Sequence, residues 1–324
     1  MTSVNYHSTV NGLQVTAAPS GPFARADWFA LLAEREAAPL FVQAVDGSDT
    51  AMMALAKRDE RLEALANWYS FNWQPDGAER LWTGIAADLR REHAHIVLTA
   101  LPETEAQTLR EAFQQAGWRT QLQACDHNHV LRVRGRSFAE YWAERPGRMR
   151  TTLRRKAKKV SVRILNDFDD GSWRNYESIY AKSWKPAEGD PALLRTFATQ
   201  EAAAGRMRLG IAYAGERAVA AQFWTVEDGT AYIHKLAHLE ADKALSAGTT
   251  LTAALFEHVI DTDRVAMVDF GTGNDPYKRD WMEEVRLRYR LECFDPATPR
   301  IWPAILAHAA RKARQRLARN RRER

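Results

Sequence analysis

Apolar positions along the chain follow two rhythms, and the switches between them outline its elements. PLFVQAVDG (39–47) and TAMMALAKR (50–58) are dense apolar runs about the turn Asp46-Gly47-Ser48-Asp49, which predicts a hairpin. GAERLWTGIAADLRREH then reads as a helix and HIVLTALP as a strand. TEAQTLREAFQQAGW is a helix opening on a Thr-x-x-Gln capping pattern (Thr104 to Gln107) and closing at Gly117. RTQLQ and HVLRVRG add strand, and SFAEYWAERPGRMRTTLRRKAKKV is helical in pattern, broken at Pro146-Gly147. Farther on, MRLGIAYA, AVAAQFWTV and AYIHKLAHL are separated by the tight turns AGER and EDGT, the signature of an antiparallel meander. Leu251, Ala254, Leu255, His258 and Val259 then keep helical spacing, followed by a strand VAMVDF, a loop-helix DFGTGNDPYKRDW and a last strand VRLRYRLECF. The C-terminal half therefore runs β-β-β-α-β-α-β.

A chain of 324 residues exceeds one ordinary core, so two domains are expected. Apolar runs are all too short for a membrane helix, and MTSVNYHSTVNGLQV lacks the basic and apolar regions of a secretory signal. With two cysteines, Cys125 and Cys293, disulfides are not the framework, and a cytoplasmic address is expected. Net charge is +5, but Arg145 to Lys159 carries +8 and Arg311 to Arg324 carries +7, leaving −10 for the rest. An acidic body with two basic segments is a weaker pointer to nucleic acid than its pI implies.

Candidate chemistry concentrates in three places. Ser246-Ala247-Gly248-Thr249-Thr250 precedes a helix, where small residues let first-turn N–H groups approach an anion such as a pyrophosphate; plain capping by Ser246 or Thr249 gives the same pattern. Gly271 and Gly273 fit neither a dinucleotide fingerprint, which needs a third glycine, nor a kinase, whose other motifs are absent. Cys125, His127 and His129 alternate as three potential zinc ligands, but without any established metal spacing, so no metal is expected.

Taken together, RMRTTLRRKAKK, AYIHKLAHL, ALSAGTTL and above all DFGTGNDPYKRDW resemble the GNAT acyl-CoA N-acyltransferases. Residues 148 to about 285 look most like the CelD/BcsL type associated with bacterial cellulose and exopolysaccharide biosynthesis, itself similar to Fem-type aminoacyltransferases. Ala247-Gly248 stands where relatives usually carry Pro-Gly. The resemblance implies an α/β (α+β) fold with tandem GNAT-like domains: 1–136 degenerate, 137–300 complete with a mixed, splayed sheet, and 301–324 a basic helix or tail. It implies an acyltransferase using acetyl-CoA or another acyl-CoA, without metal, on an amine or hydroxyl of a sugar or polysaccharide precursor.

By the same resemblance, Tyr277 is the expected general acid and Asp269 or His234 the base, with alternation placing His234 on the face of Tyr232 and Leu236. Ser246, Ala247, Gly248, Thr249, Thr250 and Lys278 would hold the cofactor, and Arg154, Arg155, Lys158 and Trp281 the acceptor. Each also reads as packing or as a solvated charge. A Fem-like enzyme drawing an aminoacyl group from tRNA, and a non-enzymatic accessory of exopolysaccharide assembly, are the alternatives. The basic tail reads as a membrane-surface contact, an RNA contact or a plain terminus.

Overall fold

The computed structural model describes residues 2–14 and 21–303, so the tail expected over 301–324 lies, past residue 303, outside the described residues. The chain divides into two compact units, Met1–Cys125 with Leu287–Arg324, and Asp126–Arg286. In chain order the first elements are β1 (Ser3–His7), α1 (Ala26–Ala33), β2 (Pro39–Asp46), β3 (Asp49–Arg58), β4 (Arg61–Ala64) and β5 (Asp76–Gly77). They are followed by α2 (Trp82–Leu89), β6 (His95–Leu101), α3 (Glu103–Gln115) and β7 (Arg119–Arg132). Next come α4 (Phe138–Ala143), α5 (Gly147–Lys156), β8 (Ser161–Leu165), α6 (Asp170–Ala181) and α7 (Pro191–Ala203). The meander β9 (Met207–Ala214), β10 (Arg217–Glu227) and β11 (Thr230–His238) leads to α8 (Ala247–Glu257), β12 (Met267–Thr272), α9 (Lys278–Trp281) and β13 (Glu284–Phe294).

Within the first unit the strand order is β1-β2-β3-β4-β6-β13, with β5 paired to β3. The hairpin forms as its turn predicts, Asp46 opposite Asp49. β4 and β6 run parallel, while β6 takes β13 antiparallel, Leu98 opposite Leu291 and Ile96 opposite Cys293. α3 starts earlier than the capping pattern suggests: Pro102 occupies the N-cap, without a side-chain cap, and Glu103 and Glu105 fill the first turn. Two carboxylates against the positive helix end serve where Thr104 was expected to.

Within the second unit the order is β7-β12-β11-β10-β9-β8. RTQLQ and HVLRVRG turn out to be one 14-residue strand, so Cys125 to Asn128 is strand and not a turn. Among the described residues no three His, Cys, Asp or Glu side chains gather as a metal site. α4 carries a full capping box, Ser137 with Glu140, and the helical pattern breaks before Gly147 as read. Its core is an aromatic stack between α4, α8 and α9: Tyr141 on Phe256 at 5.3 Å and Phe256 on Trp281 at 5.1 Å, with Trp224 edge-on to Phe256 at 5.4 Å. The Tyr141 hydroxyl donates to the Trp281 carbonyl (2.8 Å), which fixes α9 against α4.

The units differ from domains cut at 136/137 and 300/301. Each repeat of the β-β-β-α-β-α-β pattern gives up its closing strand: Leu287–Phe294 completes the first sheet, and the stretch from Asp126 to Arg132 lies beside β12 in the second. A fragment beginning at residue 137 would strip β12 of its pairing to Val130, Leu131 and Arg132 and expose Val130 and Leu131, both fully buried. Roughly 1.5–3 kcal/mol per buried aliphatic side chain is then lost. Residues 137–300 made alone should show no cooperative thermal transition by circular dichroism, whereas the full chain should.

Candidate active site

β11 and β12 pair as parallel neighbours through only three positions, Thr230–Met267, Ala231–Val268 and Tyr232–Asp269, and then separate. Both strands continue, β11 to His238 and β12 to Thr272. A cleft of about 520 Å³ occupies this part of the unit, walled by Leu236, Ala237 and His238 on one side and Phe270, Tyr277 and Trp281 on the other. Ser246, Ala247, Gly248 and Thr249 close one end. The splay expected of the two strands is therefore present, and the loop before α8 faces into it.

The stretch DFGTGNDPYKRDW holds this exit rigidly. Gly271 and Gly273 have φ of 68° and 95°, the left-handed region where a Cβ is costly. Asp269 sits at the point of separation, 5% exposed, its Oδ1 accepting from the Gly271 N–H (2.7 Å) and the Asn128 amide (2.6 Å). Asp126 accepts from the Gly273 N–H (3.1 Å), and the Lys278 ammonium donates to the Thr272 carbonyl. Asp269, proposed as a base, is thus committed to the turn, and neighbouring Phe270, not Asp269, lines the cleft. Lys278, expected at a phosphate, is 5% exposed and lies over the Phe270 ring, its pKa lowered by burial. It braces the loop from behind.

His234 keeps the face of Tyr232 that alternation predicts, but Leu236 does not share it. Phe223 pairs with Lys235 and Trp224 with Ile233, so His234 is the extra residue of a β-bulge. The bulge keeps His234 beside Tyr232 but sends Leu236 to the opposite face, into the α8 core. The imidazole stacks on Phe223 (5.0 Å), meets Phe197 edge-on (5.3 Å) and shares a hydrogen bond with the Thr225 hydroxyl (2.7 Å). Its surroundings are a packed aromatic wall outside the cleft.

Tyr277 does reach the cleft. It stands 39% exposed, edge-on to Phe270 at 5.7 Å, and desolvation with help from Asp275 raises its pKa above the ordinary tyrosine value. A phenol held in its protonated form is a proton donor. Trp281 also lines the cleft, but as part of the aromatic core.

At the other end, Ser246 adopts a left-handed conformation (φ 54°, ψ 37°), and α8 begins with no side-chain cap. Such strain costs a non-glycine residue about 1 kcal/mol or more, and the first-turn N–H groups of α8 are left without a side-chain cap beside the cleft. Thr250 is buried one turn in, its carbonyl-side partner Ser246 receiving its N–H at 3.1 Å. Arg154, Arg155 and Lys158 are exposed and do not line the cleft, but Lys156, between them, donates to the Ser246 hydroxyl (3.1 Å). Sequence reasoning passed over Lys156 within the basic run, and over His238 and Trp184, whose rings meet at 4.3 Å, tilted by 42°, in the cleft wall. His238 has its pKa lowered, chiefly by burial.

The corresponding stretch of the first unit, between β4 and α2, is built otherwise. A cavity of about 200 Å³ there is lined by Asp76, Glu79 and Glu105. Three carboxylates in that lining disfavour an anion such as a pyrophosphate there.

Residues 147–279 match the family model described as an acetyltransferase (GNAT) domain. FemX is a structural neighbour at TM-score 0.60, with 8% identity over 84% of this chain and 93% of that one. A tandem GNAT protein from the clavulanic acid biosynthesis pathway aligns at TM-score 0.52, 11% identity, over 90% and 98%. L-PGS from Bacillus licheniformis aligns at TM-score 0.56, 10% identity, over 90% and 98%. No curated protein sequence matches significantly. The fold is of the tandem GNAT kind, and the matched domain makes the chain an acyltransferase.

Asp269→Ala leaves the buried Gly271 N–H and the Asn128 amide without their acceptor, a loss of about 2–3 kcal/mol. Urea unfolding should shift its midpoint accordingly, with the slope unchanged.

Proposed function

We propose that the second unit transfers an acyl group from acyl-CoA, acetyl-CoA in the simplest case, to an amine or hydroxyl of a sugar or polysaccharide precursor by direct attack on the thioester. The observation that carries this reading is the cleft between the separated strands, with α8's uncapped first turn at one end and Tyr277 on its wall. A pantetheine chain would lie along Leu236 to His238, and its pyrophosphate would meet the N–H groups of Ala247 to Thr249 with Lys156 adding charge. The acceptor's lone pair attacks the carbonyl carbon, the new C–N or C–O bond forms as the C–S bond breaks, Tyr277 gives its proton to the departing sulfur, and the attacking atom's proton passes to solvent, from which Tyr277 is restored. The acceptor class rests on the likeness of DFGTGNDPYKRDW to the exopolysaccharide-associated enzymes.

A second reading, an aminoacyl donor carried on tRNA, is favoured by the exposed Arg150, Arg154, Arg155, Lys158 and Lys159 around the end of α5. Binding of that kind weakens steeply with salt. A basic tail resting on an anionic membrane surface is compatible with either donor and concerns residues outside the described ones. Among the described residues no helix is long and apolar enough to cross a membrane.

Calorimetry with acetyl-CoA is expected to give one site per chain, because the first unit's counterpart is acidic, and Gly248→Leu should abolish it by filling the space toward His238. Two sites, or none beside salt-sensitive tRNA binding, would reverse the assignment. Tyr277→Phe should cut turnover roughly 10²-fold or more with acetyl-CoA affinity unchanged. Because its pKa is raised, Tyr277 stays protonated below its folded value, so the rate should show no alkaline decline from this group up to about pH 10.

A further inference from the structure

The second unit contains another cavity, of about 470 Å³, on the α6–α7 side of the sheet. Its walls are aromatic and apolar, Trp173, Tyr176 and Tyr180 from α6 with Leu194 from α7, and Glu188 stands among them. Glu188 is held from two directions: the Tyr176 hydroxyl donates to Oε2 (2.9 Å), and the Lys235 ammonium to Oε1 (2.9 Å). Both charged side chains are about nine-tenths buried, at 10% and 8% exposure. An ion pair so placed returns little net stability, because desolvating two charges offsets their attraction, so its presence in a cavity wall calls for a reason other than folding.

Position supplies one. Lys235 lies on the β11 bulge, three residues past the last β11–β12 pair, and Leu236 to His238, which follow at once, line the donor cleft. The α6–α7 connection divides in the same way: Trp184 lines the donor cleft and Lys185 the aromatic cavity. Trp184 and Lys185 thus serve one cavity each, while Lys235 reaches the aromatic cavity through Glu188 in its wall. Lys235, held by Glu188 of one cavity, stands one residue before the strand segment that lines the other.

We propose that this aromatic cavity seats the acceptor, that the acceptor is a primary amine borne on a ring or similarly flat body, and that Glu188 receives its ammonium while Lys235 takes up its proton. This rests on the acyl-CoA reading of the neighbouring cleft. The aromatic faces suit the C–H face of a ring, and a buried carboxylate distinguishes an ammonium from a hydroxyl by a charge-assisted hydrogen bond. Burial holds Lys235 down to about 8, so a fraction is neutral near physiological pH and able to accept a proton. The proton passes from the acceptor ammonium to Lys235 Nζ, the freed lone pair forms the C–N bond as the thioester C–S bond breaks, the sulfur takes the Tyr277 proton, and the new amide nitrogen gives up its extra proton to solvent. Solvent then restores both side chains.

The test uses the full chain labelled with 5-fluorotryptophan, with the ¹⁹F resonances of Trp173 and Trp184 assigned through Trp173→Phe and Trp184→Phe. Acetyl-CoA reports on Trp184. Glucosamine and benzylamine, against glucose and benzyl alcohol, report on Trp173. The expected result is saturable movement of Trp173 by the amines, at least about tenfold weaker for the hydroxyl counterparts, and about tenfold or more weakening by Glu188→Gln. The acetyl-CoA response at Trp184 should survive that substitution, which also certifies the fold. Tyr176→Phe, which keeps the ring and removes one of the Glu188 contacts, should weaken amines less than Glu188→Gln does. Trp173 left unmoved by amines while acetyl-CoA moves Trp184, or equal response to amines and hydroxyls, would overturn the acceptor pocket. Movement of Trp173 alone, with Trp184 silent to acetyl-CoA, would sink the donor reading and leave the amine pocket standing.

Discussion

Two parallel strands that part after three residue pairs leave a row of peptide groups facing each other across a gap, and buried peptide groups must find partners. Everything distinctive in the second unit follows from meeting that demand. On the β12 side the turn at Gly271 is tied by Asp269, Asp126 and Lys278, so the exiting chain supplies its own acceptors and donors. On the β11 side the bulge at His234 re-aims the strand, giving one face to the α8 core and the other to α6. What remains open is a slot whose walls are fixed by packing.

Such rigidity suits a transferase, because reacting groups held in place recover much of the entropy of bringing two molecules together. Tyr277 gains its place from this scaffold: it directly precedes α9, whose Lys278 braces the loop and whose Trp281 is clamped by Phe256 and Tyr141. The phenol ahead of these anchors stands half-exposed on the cleft wall, which Asp280 and Trp281 share. The scaffold thus fixes where that hydroxyl is presented.

How much of this was legible beforehand divides along physical lines. The element order, the hairpin turn, the break at Pro146-Gly147 and the exit at Gly271 could be read because each depends on local backbone preference or on spacing within a short window. The direction of Lys278 could not, since a charged residue opening a short helix looks solvated until the Thr272 carbonyl is placed beneath it. Leu236 was assigned to the wrong face of β11 because alternation assumes an uninterrupted strand, and a one-residue bulge carries no compositional mark. Lys156 was hidden among seven like-charged neighbours. Strand partners were invisible for a related reason: periodicity reveals which face of a strand is apolar but not which strand lies beside it.

The exchange of closing strands between the two repeats has a consequence for the order in which the protein forms. A chain emerging from the ribosome presents β1 to β6 early, yet the edge of β6 that β13 will cover stays unpaired until residue 294 has emerged. The second sheet has the opposite history, since Val130 and Leu131 are synthesised before β12 and wait for it. The first unit is therefore begun first and finished last, with an open apolar edge through most of its synthesis. Such an edge invites pairing with a foreign strand. The demand this places on the chain falls on β6 and its neighbours rather than on the cleft.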